Sequence, residues 1–142
     1  MVDVLKRSLA AEVLASFGEA RLPVNGFSMF PCMRPGDLLE IRRANGPIPI
    51  GEVVVFERHG HLVVHRVIRQ SDACLITQGD RLYHPDEPVP IAEILGCVTA
   101  IERRGKCLTP KLTPARRIVS TVLRPSEFAA RILHYSARMV RT

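Results

Sequence analysis

The sequence has no long apolar run. No stretch approaches the ~18–20 consecutive apolar residues that a helix needs to span a bilayer. The N-terminal stretch, MVDVLKRSLAAEVLASFGEA, carries charges where a signal peptide would need an uninterrupted apolar segment. The sequence therefore predicts a chain without a visible signal peptide or transmembrane segment, located in the cytoplasm or peripherally at a membrane surface.

Closely spaced cysteines are also lacking. In a chain without an export signal we expect reduced thiols rather than disulfides or zinc ligands. The four cysteines lie far apart and form no C-x-x-C pair: Cys32, Cys74, Cys97 and Cys107.

Three histidines lie close together in the sequence without forming a metal-binding pattern. His61 and His65 are four residues apart on one predicted strand, about 13 Å at ~3.3 Å per residue. A zinc ion needs its ligands about 2 Å away, so this pair cannot share one metal on an unbroken strand. His59 falls in a predicted turn. We predict neither a metal nor any other cofactor.

The body of the chain has no excess charge of either sign. The net charge is +6, and residues 111–142 account for all of it with seven basic groups and one acid, Glu127. We therefore expect no specific nucleic-acid partner for the body. Within the basic tail, an amphipathic helix is predicted to start near Pro125. It could lie on an anionic membrane surface or pack on the body with its arginines extended into solvent. Its apolar stripe consists of Phe128, Ile132, Tyr135 and Met139.

The N-terminal unit, residues 1–23, is predicted to contain a short amphipathic helix over residues 3–17. Gly18 is placed to end this helix. The predicted apolar face repeats every four residues and consists of Leu5, Leu9, Val13 and Phe17.

The central unit, residues 24–110, has the pattern of a small β domain. Short apolar segments alternate with turns rich in Gly, Pro and Asp. Five or six such strands predict a mainly β fold, a compact and mostly antiparallel sheet that is coiled or closed into a small barrel. The clearest segments are LLEIR at 38–42, VVVF at 53–56, LVVHRVI at 62–68, CLIT at 74–77 and GCVTAIER near 96–103. Residues 111–142 form the third unit.

One loop of this unit, NGFSMFPCMRPGD, places a single hydroxyl, that of Ser28, among bulky apolar groups. A serine hydroxyl is a poor nucleophile unless a neighbouring group takes its proton. Gly26 allows unusual backbone angles or the close approach of another chain. Backbone N–H groups, first that of Ser28 itself, could form an oxyanion hole. The residues alone leave open that this serine only caps a turn.

A base for that hydroxyl is available in a predicted strand. The chain has only three lysines, and none lies on an apolar strand. His65 lies in V-V-H-R-V-I, where strand alternation places it on the face of Val63 and Val67. Histidine accepts protons near neutral pH, and a carboxylate could orient its ring. Asp80 and Asp86 follow the next strand. Taken singly, these residues are also typical of a buried core histidine and of turn aspartates.

Four segments resemble, in order, the conserved boxes of type I signal peptidases. They are GFSMFPCMRPGD, IGEVVVFERHGHLVVHRVI, TQGDRLYHPDEPV and ILGCVTAIERR, which together cover about residues 24–104. The archaeal and endoplasmic-reticulum branch, which uses a histidine base, is the most similar. The resemblance implies a serine endopeptidase that cleaves after small residues in a signal, leader or precursor peptide. That family usually carries a membrane anchor before the serine box, so we expect a relative that lacks the anchor.

The resemblance also implies roles for individual residues. Ser28 corresponds to the nucleophile and His65 to the base. The two family aspartates fall on Asp80 and Asp86, and we expect Asp86 to orient His65 and Asp80 to be a structural or auxiliary acid. We further expect Gly26 to support the oxyanion site, and the neighbours of the serine to contact substrate, namely Phe27, Met29 and Phe30.

Two other functions are compatible with parts of the pattern. Self-cleaving repressors have a similar S-M-x-P box, but they use a lysine base on the following strand and carry a DNA-binding domain ahead of it. Neither feature is visible in this sequence. A non-catalytic module could instead keep the fold and bind a membrane surface or nucleic acid through its arginine-rich tail, with a steep salt dependence.

Overall fold

A computed structural model describes residues 2–111, with side chains from residue 9 onward. The predicted basic helix of the C-terminal tail lies outside the described residues. It remains a prediction, as does the division of the chain into three units.

One helix and eight strands form the described fold. Strands predominate, which confirms the predicted mainly β class. The helix, α1, spans Val2–Phe17. The strands are β1 (Glu19–Pro23), β2 (Leu38–Arg42), β3 (Val53–Arg58), β4 (His61–Gln70), β5 (Cys74–Gln78), β6 (Val89–Pro90), β7 (Ile94–Arg103) and β8 (Lys106–Leu108).

All eight strands belong to one antiparallel sheet. Its order is β1-β2-β7-β3-β4-β5-β6, and β8 pairs with β7. The long strand β7 pairs with β2 along one edge, and with β3 and then β8 along the other. In the part of the chain that the structure describes, β1 and β6 end the order without pairing with each other. The sheet is therefore open rather than closed into a barrel.

Two hairpins are closed by the same two-residue turn. His59 and Gly60 have φ of 50° and 76°, and they connect Arg58 to its cross-strand partner His61. The turn between β7 and β8 repeats these angles. Positive φ at both central positions is the requirement of a type I′ turn, whose twist matches that of the flanking strands. The first hairpin sets the register of β4, which carries His65.

The sheet is covered on both faces. Strand β3 shows this most clearly, because Val53 and Val55 belong to one buried cluster and Val54 and Phe56 to the other. All four are fully buried. Successive strand residues point to opposite faces, so a continuous buried run means that neither face of β3 meets solvent.

Helix α1 packs on the sheet through a different face from the one predicted. Ala10 and Leu14 are buried, whereas Leu9 and Phe17 are 59% and 78% exposed. The predicted stripe is therefore wrong for these residues: the four-residue repeat identified a helix but not the side that meets the sheet. Gly18 does end the helix, with φ of 75° and its N–H donating to the Leu14 carbonyl.

Three short strands, β1, β6 and β8, were not predicted. β1 reads E-A-R-L-P, and its exposed residues alternate with half-buried apolar ones, so the segment does carry a short strand pattern. β6 and β8 have only two and three residues and depend on their partner strands. Among the described residues, no helix combines the length and the apolar character needed to cross a membrane.

Candidate functional site

The loop that carries Ser28 joins β1 to β2 and is closed at its neck. The Val24 N–H donates to the Asp37 carbonyl at 2.9 Å, and the Gly36 N–H donates to the Val24 carbonyl at 3.2 Å. Side chains from within the loop are buried in the core next to α1, and they include Met29, Cys32 and Met33. The loop is thus held by the core rather than by surface contacts.

A buried carboxylate ties the same loop to β7. Asp37 accepts hydrogen bonds from the Arg34 N–H and from the Arg103 guanidinium, which also donates to the Cys32 carbonyl. Burial alone would raise the pKa of Asp37, but its hydrogen bonds, first those from Arg103, hold the pKa below its usual value. The carboxylate is therefore charged at neutral pH and fixes the loop against the end of the sheet.

A second loop, after β5, contacts the backbone of Ser28. The Arg81 N–H donates to the Ser28 carbonyl at 2.9 Å. A Cβ atom at Gly79 would lie 2.7 Å from that carbonyl oxygen and 2.9 Å from Leu82 Cδ1. Real Cβ atoms essentially never come so close to backbone, so any side chain at position 79 would force the two loops to shift relative to each other.

Three polar side chains form a chain of contacts in front of these loops. Ser28 Oγ lies 3.2 Å from His65 Nε2. On the other side of the ring, His65 Nδ1 lies 2.5 Å from Asp86 Oδ2. The Thr77 hydroxyl donates to the same carboxylate oxygen at 2.6 Å, and the Asp86 N–H donates to the Thr77 carbonyl. The structure thus brings together the serine, the histidine and one of the two aspartates.

The charge on Asp86 determines which histidine nitrogen carries the proton. Burial alone would raise the pKa of Asp86, but hydrogen bonds from His65 and Thr77 outweigh it and hold the pKa below its usual value. An ionised carboxylate only accepts hydrogen bonds, so the proton of a neutral His65 ring is on Nδ1. The lone pair of Nε2 then faces the Ser28 hydroxyl and can accept its proton.

His65 is enclosed, whereas Ser28 is partly exposed. The imidazole is buried and meets the Phe56 ring edge-on, with centroids 6.5 Å apart. Val63 and Val67 belong to the same buried cluster as Phe56, as strand alternation predicts. The Ser28 hydroxyl is therefore accessible from solvent, while the His65 imidazole is shielded from bulk water.

Asp80 lies close in sequence to Asp86 but has a different partner. Its two oxygens accept hydrogen bonds from Arg66 Nε and Nη2, both at 2.8 Å, and both side chains are buried. Arg66 also donates to the Gly51 carbonyl and approaches Cys32 Sγ at 3.5 Å. Burial would lower the pKa of Arg66, but the hydrogen bond to Asp80 outweighs it and raises the pKa. This pair joins β4 to both loops beneath Ser28.

One expectation for the neighbours of Ser28 needs correction. Met29 is only 3% exposed, and its Sδ accepts the Asp80 N–H, so it supports the loop and is not available to contact a substrate. Gly26 has an ordinary φ, and a Cβ atom there would meet nothing within 4 Å. The expected role of Gly26 in supporting the oxyanion site stays a prediction. Phe27 is 58% exposed and Phe30 is half-buried, so both remain accessible next to Ser28.

Sequence reasoning missed Thr77, Gly79 and Arg66 as individual contributors. The signal for Thr77 is weak: a polar residue in the strand C-L-I-T-Q, facing the same way as the buried Leu75. The steric role of Gly79 has no signal in the sequence, because it depends on contact with the distant Ser28 loop. No group of three metal-ligating side chains is found in the described range.

Comparison with known families gives one match. A family model described as Peptidase S24-like matches residues 8–99, well over half of the chain. This family includes both signal peptidase I and LexA-type proteases. No curated protein matches the chain significantly. The matched region runs from α1 into β7 and contains Ser28, His65 and Asp86, so these residues belong to a peptidase-type module.

Proposed function

The chain belongs to the Peptidase S24-like family, and from this premise and the geometry of the site we propose that it is a serine endopeptidase of the signal-peptidase type. Ser28 is the nucleophile, His65 the general base and Asp86 the residue that orients His65. The substrate is a signal, leader or precursor peptide, cleaved after a small residue.

The observation that carries the proposal is the continuous contact from Ser28 through His65 to Asp86. One ring nitrogen faces the hydroxyl and the other faces a carboxylate held ionised by Thr77 and by the ring itself. This is the arrangement in which imidazole takes a serine proton and the carboxylate stabilises the resulting imidazolium. Asp80 is not part of it, since it is bonded to Arg66.

The proposed reaction has two stages. Ser28 Oγ attacks the scissile carbonyl carbon while its proton passes to His65 Nε2, and the oxyanion faces the Ser28 N–H. The tetrahedral intermediate collapses as His65 protonates the leaving amine, which leaves an acyl-enzyme on Ser28. Water then loses a proton to His65 and attacks the ester, and the proton returns to Ser28 Oγ as the carboxylic acid product is released.

An extended peptide can reach this site along β4. The edge of β4 from His61 to His65 that faces away from β3 has no strand partner among the described residues, since β5 begins pairing only at Arg66. A strand edge of this kind binds extended peptides through backbone hydrogen bonds. The preference for small residues before the cleaved bond rests on the resemblance of residues 24–104 to signal peptidases.

The identity of the base favours this function over self-cleavage of a repressor. Lys106 and Lys111 are exposed, and Lys106 lies on the short strand β8, away from the β4 segment next to Ser28. His65 occupies the position from which a base must act, 3.2 Å from Ser28 Oγ. These observations support the branch of the family that uses histidine.

A fluorophosphonate probe tests the proposal without a known substrate. We expect labelling of the wild-type protein at Ser28, mapped by peptide mass spectrometry, and none in Ser28→Ala. His65→Ala should slow labelling by several orders of magnitude because it removes the base. His61→Ala is the matched control: it removes an exposed histidine from the same strand and should label at the wild-type rate.

The outcomes separate the alternatives. Folded wild-type protein that does not label at Ser28, or His65→Ala protein that labels normally, rules out the proposed peptidase and supports the non-catalytic module. Intact-mass measurement of the protein incubated alone tests self-cleavage: a truncated product in wild type but not in Ser28→Ala would assign the repressor-type reaction. Cleavage of added peptides after alanine, with the chain itself intact, supports the signal-peptidase type.

A further inference from the structure

Two arginines and two phenylalanines form a surface cluster beside Ser28. The Arg81 guanidinium carbon lies 6.0 Å from the centroid of Phe27 and 5.9 Å from that of Phe30. The Arg34 guanidinium lies 5.6 Å from the centroid of Phe30, and the two rings are 6.4 Å apart. We call these four residues the arginine rim. Contact with the ring faces favours these positions of the two guanidinium groups in the absence of a ligand.

The charge of the arginine rim is not neutralised by the described part of the chain. Both arginines are exposed, and no carboxylate in residues 9–111 forms an ion pair with either. The charge of Arg34 acts on Asp37, but the two oxygens of that carboxylate are already bonded to Arg103. The rim therefore offers guanidinium donors to an external acid.

The rim lies next to the reacting hydroxyl. Phe27 directly precedes Ser28, and the Arg81 N–H is bonded to the Ser28 carbonyl at 2.9 Å. A peptide with a carbonyl carbon over Ser28 Oγ must pass these side chains within a few residues of the reacting bond. A carboxylate side chain at that point can accept charge-assisted, bidentate hydrogen bonds from guanidinium.

We propose that Arg81 and Arg34 bind an acidic side chain of the peptide substrate close to the cleaved bond. The inference rests on the proposed function for the path of the peptide, and it adds the chemical class of the substrate. The rim acts on specificity: peptides with Glu or Asp at the facing position are favoured, and peptides with Lys there are disfavoured by repulsion.

The observations favour a peptide over an anionic membrane surface as the ligand. Binding to a bilayer surface scales with the apolar area inserted. In the rim, Phe30 is half-buried and only Phe27 exposes more than half of its side chain. The two guanidinium groups, in contrast, are held next to the phenylalanine rings and can bind a single carboxylate at a defined position.

Binding of short labelled peptides to Ser28→Ala protein tests the inference without requiring turnover. The peptides share an Ala-Leu-Ala core and carry one variable residue, Glu, Gln or Lys. Separate peptides place this residue at each position before and after the core. We expect the Glu peptide to bind about three- to fivefold more tightly than the Lys peptide at the facing position, as for an exposed ion pair, and less so at high salt. Fluorescence anisotropy gives the affinities.

Charge reversal identifies the residues responsible. Arg81→Glu should invert the order of the Glu and Lys peptides, whereas Arg81→Lys should keep it. Arg34→Glu should weaken the preference. Arg42→Glu is the matched control, since Arg42 is exposed on β2, three strands from β4 or about 14 Å away at the usual strand spacing, and should leave the order unchanged. Circular dichroism establishes that each variant is folded.

The results have distinct meanings. Equal affinity for the Glu and Lys peptides at every position, including no binding of either, overturns the inference. Tighter binding of the Glu peptide than of the Lys peptide by the Arg81→Glu variant overturns it as well. Loss of binding to phosphatidylglycerol vesicles in Arg81→Glu without any change in peptide preference would assign the rim to lipid and also overturn it. A wild-type enzyme that cleaves both peptides equally refutes the inference alone, whereas a charge preference in binding without any cleavage refutes only the proposed function.

Discussion

Glycine at position 79 should matter more to the activity than glycine at position 26, although Gly26 is closer to Ser28 in sequence. In Gly79→Ala, the new Cβ would lie 2.7 Å from the Ser28 carbonyl oxygen, whereas ordinary contacts begin at 3.4 Å, a deficit of about 0.7 Å. That carbonyl also accepts the Arg81 N–H, so it cannot move without disturbing this bond. The Ser28 loop must therefore shift relative to His65.

The size of the effect follows from the size of the shift. Misplacement of a reacting group by about 1 Å can cost about 10²-fold in rate. We therefore expect the rate constant of fluorophosphonate labelling at Ser28 to fall by about 10- to 100-fold in Gly79→Ala. Overpacking of this kind also costs about 1–3 kcal/mol of stability. The variant should stay folded, with a lower Tm.

Gly26→Ala is the matched comparison, because it makes the same change on the other side of Ser28. Its Cβ would meet nothing within 4 Å, and its φ is ordinary. Labelling by the small probe should therefore stay close to the wild-type rate. Labelling of Gly79→Ala at the wild-type rate would refute the argument that this glycine sets the position of the serine. A large decrease of the labelling rate in Gly26→Ala would show that Gly26 affects the reaction by a route other than the backbone conformation of the free protein.

Three further predictions concern the carboxylates of the site. Asp86→Asn should lower kcat by about 10²–10⁴-fold with little change in Tm. Asp80→Asn should instead lower the free energy of unfolding in urea by about 3–5 kcal/mol, because it leaves the Arg66 charge buried without its partner. The reverse pattern would exchange the roles of the two aspartates. Thr77→Val should lower kcat/KM by about tenfold, the effect of one lost hydrogen bond to a charged group, and unchanged kinetics would contradict this. The pKa of Asp37 is lower in the folded than in the unfolded chain, so its contribution to stability is complete above the usual value of 3.8 and is lost as pH falls through the lowered pKa. Denaturation below pH 4 should therefore depend less on pH in Asp37→Asn, and identical pH profiles would refute the assignment.

The sequence was sufficient for the strands that have a strong pattern of their own. The apolar segments at 53–56, 62–68 and 74–77 each became a strand, because their β-branched residues suit a buried sheet. A turn at His59-Gly60 was also predicted, and the structure identifies it as type I′. β1 was missed although its residues alternate, whereas the three residues of β8 are too few to show a pattern and depend on pairing with β7.

The residues alone indicated which side chains could form the site, whereas the pairing of His65 with Asp86 was expected only from the resemblance to signal peptidases. Sequence order placed Asp80 and Asp86 in one loop after β5, and nothing in their spacing distinguishes which carboxylate faces His65. The face of α1 that packs on the sheet was likewise invisible, because Leu9 and Leu14 are equally apolar and only the position of the sheet selects between them. Long-range contacts decide these questions.

The alternation of side chains along β4 explains why Asp80 and Asp86, six residues apart, bind different partners. His65 and Arg66 are consecutive in a strand, so their side chains leave the sheet on opposite faces. His65 lies on the face of Phe56 and Val67, where Asp86 meets it. Arg66 points toward Cys32 beneath the serine loop, where Asp80 meets it. The dipeptide His65-Arg66 thus supplies both the proposed base and a side chain that supports the loop of Ser28. Exchanging the two residues to Arg-His would therefore abolish both contacts at once, whereas a site that needed only a nearby imidazole would retain part of its activity.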